Sequence, residues 1–164
     1  MLSLGMEGIV AQIYVAASGA AEMQQLGSVE ALAACGLRGD RYANRTGYWC
    51  GVDECQVTLI EGEILVRIAE DTGLTIKTGE HRRNIVTWGI RLYHLLGKQF
   101  TVGQAVFEYD RPRPPCSHIQ AVTGQPGMVK ALFSQRGGIG ARVLKSGVIR
   151  VNDPISVLAR EIRV

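Results

Sequence analysis

Gln99-Phe100-Thr101-Val102-Gly103-Gln104-Ala105-Val106-Phe107-Glu108-Tyr109 places two β-rich runs on either side of a glycine-bearing break. Aromatic and β-branched residues fit a pleated, half-buried surface, and glycine marks the turn between them. Working outward, similar runs cover Gly8 to Ala16, Ser28 to Leu32, Gln56 to Ile60, Asn84 to Thr87, Ala141 to Leu144, Val148 to Val151 and Ile155 to Leu158. Gly147 and Asp153-Pro154 punctuate the later ones. Strands this closely spaced predict a mainly β, β-rich α+β fold: a closed or nearly closed antiparallel β-barrel with a few short helices. The 164 residues, 46% hydrophobic, suffice for one core, and with no repeat or linker a single domain over 1–164 is expected.

One helix is expected directly after Gln56 to Ile60. Thr58 and Glu61 have the spacing of a capping box, Ile64, Leu65 and Ile68 share one helical face, and Glu63 and Arg67 form a favourable i,i+4 pair. Gly73 supplies the stop. The stretch from Gly36 to Gly51 has little hydrophobic periodicity and reads as a long polar loop, a frequent carrier of function.

Composition narrows the function classes. A formal net charge of +3, from 18 basic and 15 acidic residues, has no polybasic run beyond Arg82-Arg83, so neither nucleic acid nor a membrane surface is an expected partner. Met1 to Gly8 has no basic leader, and no apolar run reaches membrane-spanning length, so a cytoplasmic protein is expected. Cys35, Cys50, Cys55 and Cys116 then read as thiols in a reducing compartment.

Chemistry concentrates in Tyr109-Asp110-Arg111-Pro112-Arg113-Pro114-Pro115-Cys116-Ser117-His118. Prolines cannot donate to a sheet ladder, so they turn the chain out of a strand and place Cys116 on a stiffened loop. Arg111 and Arg113 favour its thiolate, the form that attacks electrophiles and binds soft metals. His118, two positions on, could serve as a proton acceptor or a second ligand, but reads more readily as an ordinary surface or hydrogen-bonded histidine. Equally consistent with the local residues is a thiol serving as a small buried hydrophobe. His81-Arg82-Arg83-Asn84 offers guanidinium forks suited to phosphate or a pterin-type anion, although on a strand Arg82 and Arg83 would point to opposite faces. Gly39-Asp40-Arg41 is either part of a site or a local salt bridge closing a turn.

Taken in order, several motifs resemble the MOSC family, named for the C-terminal domain of molybdenum cofactor sulfurases. They are Gly39-Asp40-Arg41-Tyr42, Gln56 to Glu61, Arg82-Arg83-Asn84-Ile85-Val86-Thr87 with Gly89-Ile90, Gly97-Lys98-Gln99-Phe100, Pro114-Pro115-Cys116, Gly140-Ala141-Arg142-Val143-Leu144 and Asn152-Asp153-Pro154-Ile155. The resemblance implies a barrel like the pyruvate kinase barrel domain. It implies that Cys116 carries sulfur as a persulfide or ligates the molybdenum of a molybdopterin cofactor. It also implies that Arg82, Arg83, Asn84 and Arg142 line or support the anionic cofactor's site, with Asp40 and Arg41 in the same surround. Unlike the sulfurases, the chain has no pyridoxal-phosphate domain, so a cysteine desulfurase or sulfurase partner would donate sulfur. It also lacks the extensions of the larger amidoxime-reducing relatives, so electrons would come from a separate electron-transfer protein.

Two other readings compete. A noncatalytic binding module would use the barrel surface and the Gly36 to Gly51 loop to recognise a protein or small anion. A structural zinc site would use Cys50 and Cys55, whose C-x4-C spacing lacks an obvious second ligand pair.

Overall fold

A computed structural model describes residues 7–47, 55–74, 76, 78–113, 127–128, 132 and 136–159. Seven strands form a closed barrel: β1 (Glu7–Val15), β5 (Val57–Glu61), β6 (Ile85–Trp88), β7 (Gln99–Val102), β8 (Ala105–Pro112), β9 (Ile139–Lys145) and β11 (Pro154–Val157). Around the wall they run β11-β7-β8-β9-β5-β6-β1, and β1 pairs back to β11 to complete the circle. The stretch that anchors the sequence reading is a tight hairpin, with Val102 opposite Ala105 across Gly103-Gln104. Outside the barrel, β2 (Gln24–Leu26) extends β1, and β3 (Ser28–Leu32), β4 (Gly36–Leu37) and β10 (Gly147–Arg150) form a three-stranded sheet.

Every barrel pairing is antiparallel except β5 with β6. The cause is the helix between them, α2 (Gly62–Thr72), which returns the chain to the end from which β5 started. Helix α2 also makes β5 a strand buried on both faces. Leu59 faces the barrel core with Ile85, Phe100 and Phe107, whereas Ile60 joins Tyr14, Val86, Met128, Leu132 and helical Ile68 in a second cluster outside the wall. This double burial explains why Val57 to Ile60 is buried at every position in place of alternation, with Thr58 the one polar member.

The helix differs in detail from its sequence signals. Gly73 ends it as expected, in a left-handed conformation at φ 68° with its N–H donating to Ala69. Thr58 does not cap it: β5 continues through Glu61, which pairs with Thr87, so Thr58 lies inside the strand and its hydroxyl bonds Asn84. Glu63 accepts the Gly89 N–H at 2.8 Å and forms no ion pair with Arg67. The long polar loop contains β4 and a single-turn helix, α1 (Arg41–Asn44), too short to show a periodic pattern. No helix among the described residues is long and apolar enough to cross a membrane.

Thr87 has a fully buried side chain whose hydroxyl finds no hydrogen-bond partner among the described residues. Removing an unsatisfied buried hydroxyl relieves its desolvation cost, so Thr87→Val should stabilise the fold by about 1 kcal/mol. Urea unfolding should show a higher midpoint with an unchanged slope; a lower midpoint would mean that the hydroxyl is satisfied.

Candidate functional site

The polar interior lies where α1, the segment before β6 and the end of β8 meet. Asp40 is the N-cap of α1 and is completely buried. Its Oδ2 accepts the Tyr42 N–H at 3.2 Å, and its Oδ1 accepts both the Ala16 N–H and Arg41 Nη1 at 3.0 Å. Arg41 lies with its guanidinium 4.5 Å from the centre of the Tyr42 ring and donates through Nη2 to the Arg82 carbonyl at 2.9 Å. Asp40-Arg41 is therefore a buried ion pair between adjacent residues whose further hydrogen bonds reach Ala16 and Arg82.

Arg82 and Arg83 precede β6, and Arg82 takes a left-handed backbone at φ 61°. That conformation breaks the alternation expected of a strand. Both guanidiniums are buried and both lie close enough to Arg41 to feel its charge. Arg82 donates to the carbonyls of Gly19 and Ala21. Arg83 donates through Nε to Gly137 at 2.6 Å and through Nη2 to Arg113 at 3.2 Å, again to carbonyls. Burial pushes both guanidiniums down to about 10; for Arg82 the Arg41 charge adds to this, and for Arg83 those of Arg113 and Arg41 do. Both remain cationic at neutral pH.

His81 completes the group. Its Nδ1 accepts the Arg83 N–H at 2.9 Å, and its ring meets Tyr14 edge-on at 5.2 Å. An acceptor at Nδ1 requires the proton on Nε2 in the neutral ring. Nε2 is buried and has no partner among the described residues. Burial, followed by the charges of Arg83, Arg82 and Arg41, lowers the His81 pKa to about 3, so the imidazole is a neutral donor.

Asn84 serves as a brace. Its Oδ1 accepts the Thr58 N–H at 3.0 Å and the Thr58 hydroxyl at 3.1 Å, and its Nδ2 donates to the Tyr14 carbonyl at 3.1 Å. One side chain thereby ties β1, β5 and the start of β6. Arg142 is on β9, half exposed, paired with Glu108 at 3.3 Å and facing Asp110 at 4.0 Å. It makes none of the buried group's hydrogen bonds. Cys116, His118 and Cys50 lie outside the described residues. Among the described residues no cluster of three His, Cys, Asp or Glu side chains is arranged to hold a metal.

Sequence reasoning did not assign His81, Tyr42, Arg113 or Cys55 to one group. Arg113 is buried, and at Gly140 an added Cβ would fall 3.0 Å from Cys55 Sγ and 3.3 Å from Arg113 Cδ. Cys55 and Arg113 thus pack together over the glycine. The absence of a side chain at position 140 was the available signal, but its partners are distant in sequence.

The MOSC domain profile matches residues 46–156, more than half of the chain. The chain belongs to the MOSC family. The fold agrees with solved structures of this type. The YuaD protein from Bacillus subtilis aligns with a TM-score of 0.78 at 18% identity, over 95% of this chain and 98% of that one. YiiM from Geobacillus stearothermophilus aligns at 0.71 and 20% identity, over 94% and 77%. YiiM from Escherichia coli aligns at 0.68 and 19%, over 97% and 73%. No curated protein matches the chain by sequence. In this MOSC domain the profile spans Arg82 and Arg83, whereas Asp40 and Arg41 lie before it and reach the group through tertiary contact.

Proposed function

We propose that this MOSC protein binds an anionic molybdopterin-type cofactor beside its buried arginines and uses Cys116 either as a thiolate ligand to molybdenum or as a persulfide carrier. The observation that carries the reading is the unbalanced buried charge. Arg41, Arg82 and Arg83 are all buried, and among the described residues Asp40 is the one carboxylate bonded to them. Buried cations are costly unless neutralised, and a phosphate-bearing ligand supplies the missing negative charge.

The residues fit such a group. Arg83 hydrogen-bonds only through Nε and Nη2 among the described residues, and the His81 Nε2–H is an unpartnered buried donor. Arg82 and Arg83 would balance the anion's charge, and Asp40 and Asn84 would hold the surrounding segments in place. When bound, the cofactor supplies a metal centre for atom or sulfur transfer. Sulfur or electrons would come from separate proteins.

Protein purified anaerobically should contain molybdenum with pterin, or labile sulfur on Cys116, and Cys116→Ser should lower that content at least about tenfold. Equal content in the variant would remove Cys116 from the reading. A protein without metal, pterin or persulfide that is still stabilised by added phosphate would instead be an anion-binding module.

A further inference from the structure

Several donors of the buried group have no acceptor among the described residues. The His81 ring is held by the Arg83 N–H, which Nδ1 accepts at 2.9 Å, and by Tyr14, met edge-on at 5.2 Å between centroids. The neutral ring therefore carries its proton on Nε2, the buried atom that lacks a partner. Arg83 uses Nε and Nη2 on the Gly137 and Arg113 carbonyls and leaves Nη1. Arg82 uses Nη1 and Nη2 on Ala21 and Gly19 and leaves Nε. The Tyr42 hydroxyl, near both guanidiniums, accepts from Arg41 Nη2 at 3.4 Å and keeps its own proton to donate.

The acceptors of the same interior are engaged. Asp40 takes three donors on its two oxygens, from Ala16, Arg41 and Tyr42. The carbonyls of Gly19, Ala21, Arg82, Arg113 and Gly137 each take a guanidinium. The charged and titratable groups around His81 are Tyr14 of β1, Asp40, Arg41 and Tyr42 at α1, and Arg82 and Arg83 beside it in the chain. Burial, then the charges of Arg83, Arg82 and Arg41, keeps the ring neutral down to about pH 3, so it donates without titrating at ordinary pH.

We infer that this interior is a donor-only anion site in which the His81 Nε2–H selects the dianion of a phosphate monoester over its protonated monoanion. A dianion accepts from every donor left over, and such charge-assisted bonds are the strong ones. A monoanion brings an O–H of its own, and with the acceptors engaged that hydrogen would be buried unpaired. Affinity then follows the ligand's second ionisation, near about 6, and falls on acidification. A site built on a titrating histidine would instead tighten as the ring gained charge. The inference rests on the reading of the arginine group as an anion site and adds the ionisation state that the site takes.

The test is titration calorimetry of the full chain, produced in a host that makes no pterin cofactor, with phenyl phosphate and with sulfate between about pH 5 and about pH 8. Sulfate is a dianion throughout, and its dissociation constant should hold within about twofold. Phenyl phosphate should bind about tenfold more weakly at pH 5 than at pH 7, as its dianion gives way below about 6. His81→Asn still offers an oxygen to the Arg83 N–H, but its amide stops one bond short of Nε2. Both ligands should therefore bind the variant about tenfold more weakly at every pH.

Tighter binding of either ligand on acidification, equal binding of phenyl phosphate at pH 5 and pH 7, or binding of neither overturns the inference, and so does parent-like affinity in His81→Asn. If that variant loses cooperative melting, nitrogen-15-labelled parent decides: saturation with sulfate should move the His81 Nε2–H resonance, and an unmoved resonance overturns the inference. Native protein without molybdenum, pterin or persulfide whose site still prefers the dianion would lose the proposed function and keep this selectivity.

Discussion

Asp40→Asn should destabilise the protein by about 3–5 kcal/mol, the cost of breaking a buried ion pair and leaving a cation without its counter-charge. The substitution is nearly isosteric, but an Asn amide has one acceptor oxygen, so it keeps either the Tyr42 N-cap bond or the bond from the Ala16 N–H and not both, which adds to the cost. What is lost is the only carboxylate bonded to the buried arginines among the described residues. For a domain of this size the loss corresponds to a melting temperature lower by roughly 6–20 °C. The same change leaves the site more positive. Added phosphate should therefore raise the melting temperature of Asp40→Asn more than that of the parent, by mass action on the folded state. A drop of a degree or two, with no difference in the phosphate effect, would show that the guanidiniums are already neutralised by other groups.

Acidification should expose the second large effect, at His81. In the unfolded chain a histidine takes up a proton below about 6.5. In the folded protein burial, together with the Arg83, Arg82 and Arg41 charges, holds the pKa to about 3. Between these values the unfolded state binds the proton and the folded state does not. Stability from this group is therefore complete above about pH 6.5 and is lost as the pH falls toward 3. At one pKa unit per 1.36 kcal/mol, the loss is about 2 kcal/mol at pH 5 and about 5 kcal/mol near pH 3. His81→Asn offers an oxygen to the Arg83 N–H without a titrating ring and should flatten the decline. Urea unfolding at several pH values checks it; parallel declines in parent and variant would assign the acid sensitivity to the carboxylates.

Much of the barrel was legible in the chain because its strands are local. The run from Gln99 to Tyr109 folds on itself through a two-residue turn, so composition and punctuation were sufficient. The parallel β5–β6 pair was not drawn, although both strands and the helix between them were identified. Strand direction follows from connectivity through α2, which has no local marker. The capping box failed for a related reason: a strand residue and a helix cap share the Thr-x-x-Glu spacing, and pairing with Thr87 decided between them.

Cys116 was singled out by its proline frame and the MOSC motifs by their order, and family membership follows from the profile match. The buried group was only half visible. Arg82, Arg83, Asp40 and Arg41 were all singled out, but the alternation of a strand argued against Arg82 and Arg83 acting together, and the left-handed backbone at Arg82 removed that objection. Asn84 was grouped with the anion binders by its neighbours, yet its side chain is used in bracing three strands.

By itself, then, the sequence determined the strand content, the helix stop at Gly73, the MOSC family and the residue types suited to an anion. These depend on side-chain chemistry and on spacing over a few positions. Only the tertiary structure decided which arginines share an interior, that His81 holds a donor without a partner among the described residues, and that Arg83 joins Arg113 to Gly137. Those facts depend on burial and on contacts between residues dozens of positions apart, and the free energy of a buried charge is set by what surrounds it rather than by its neighbours in the chain.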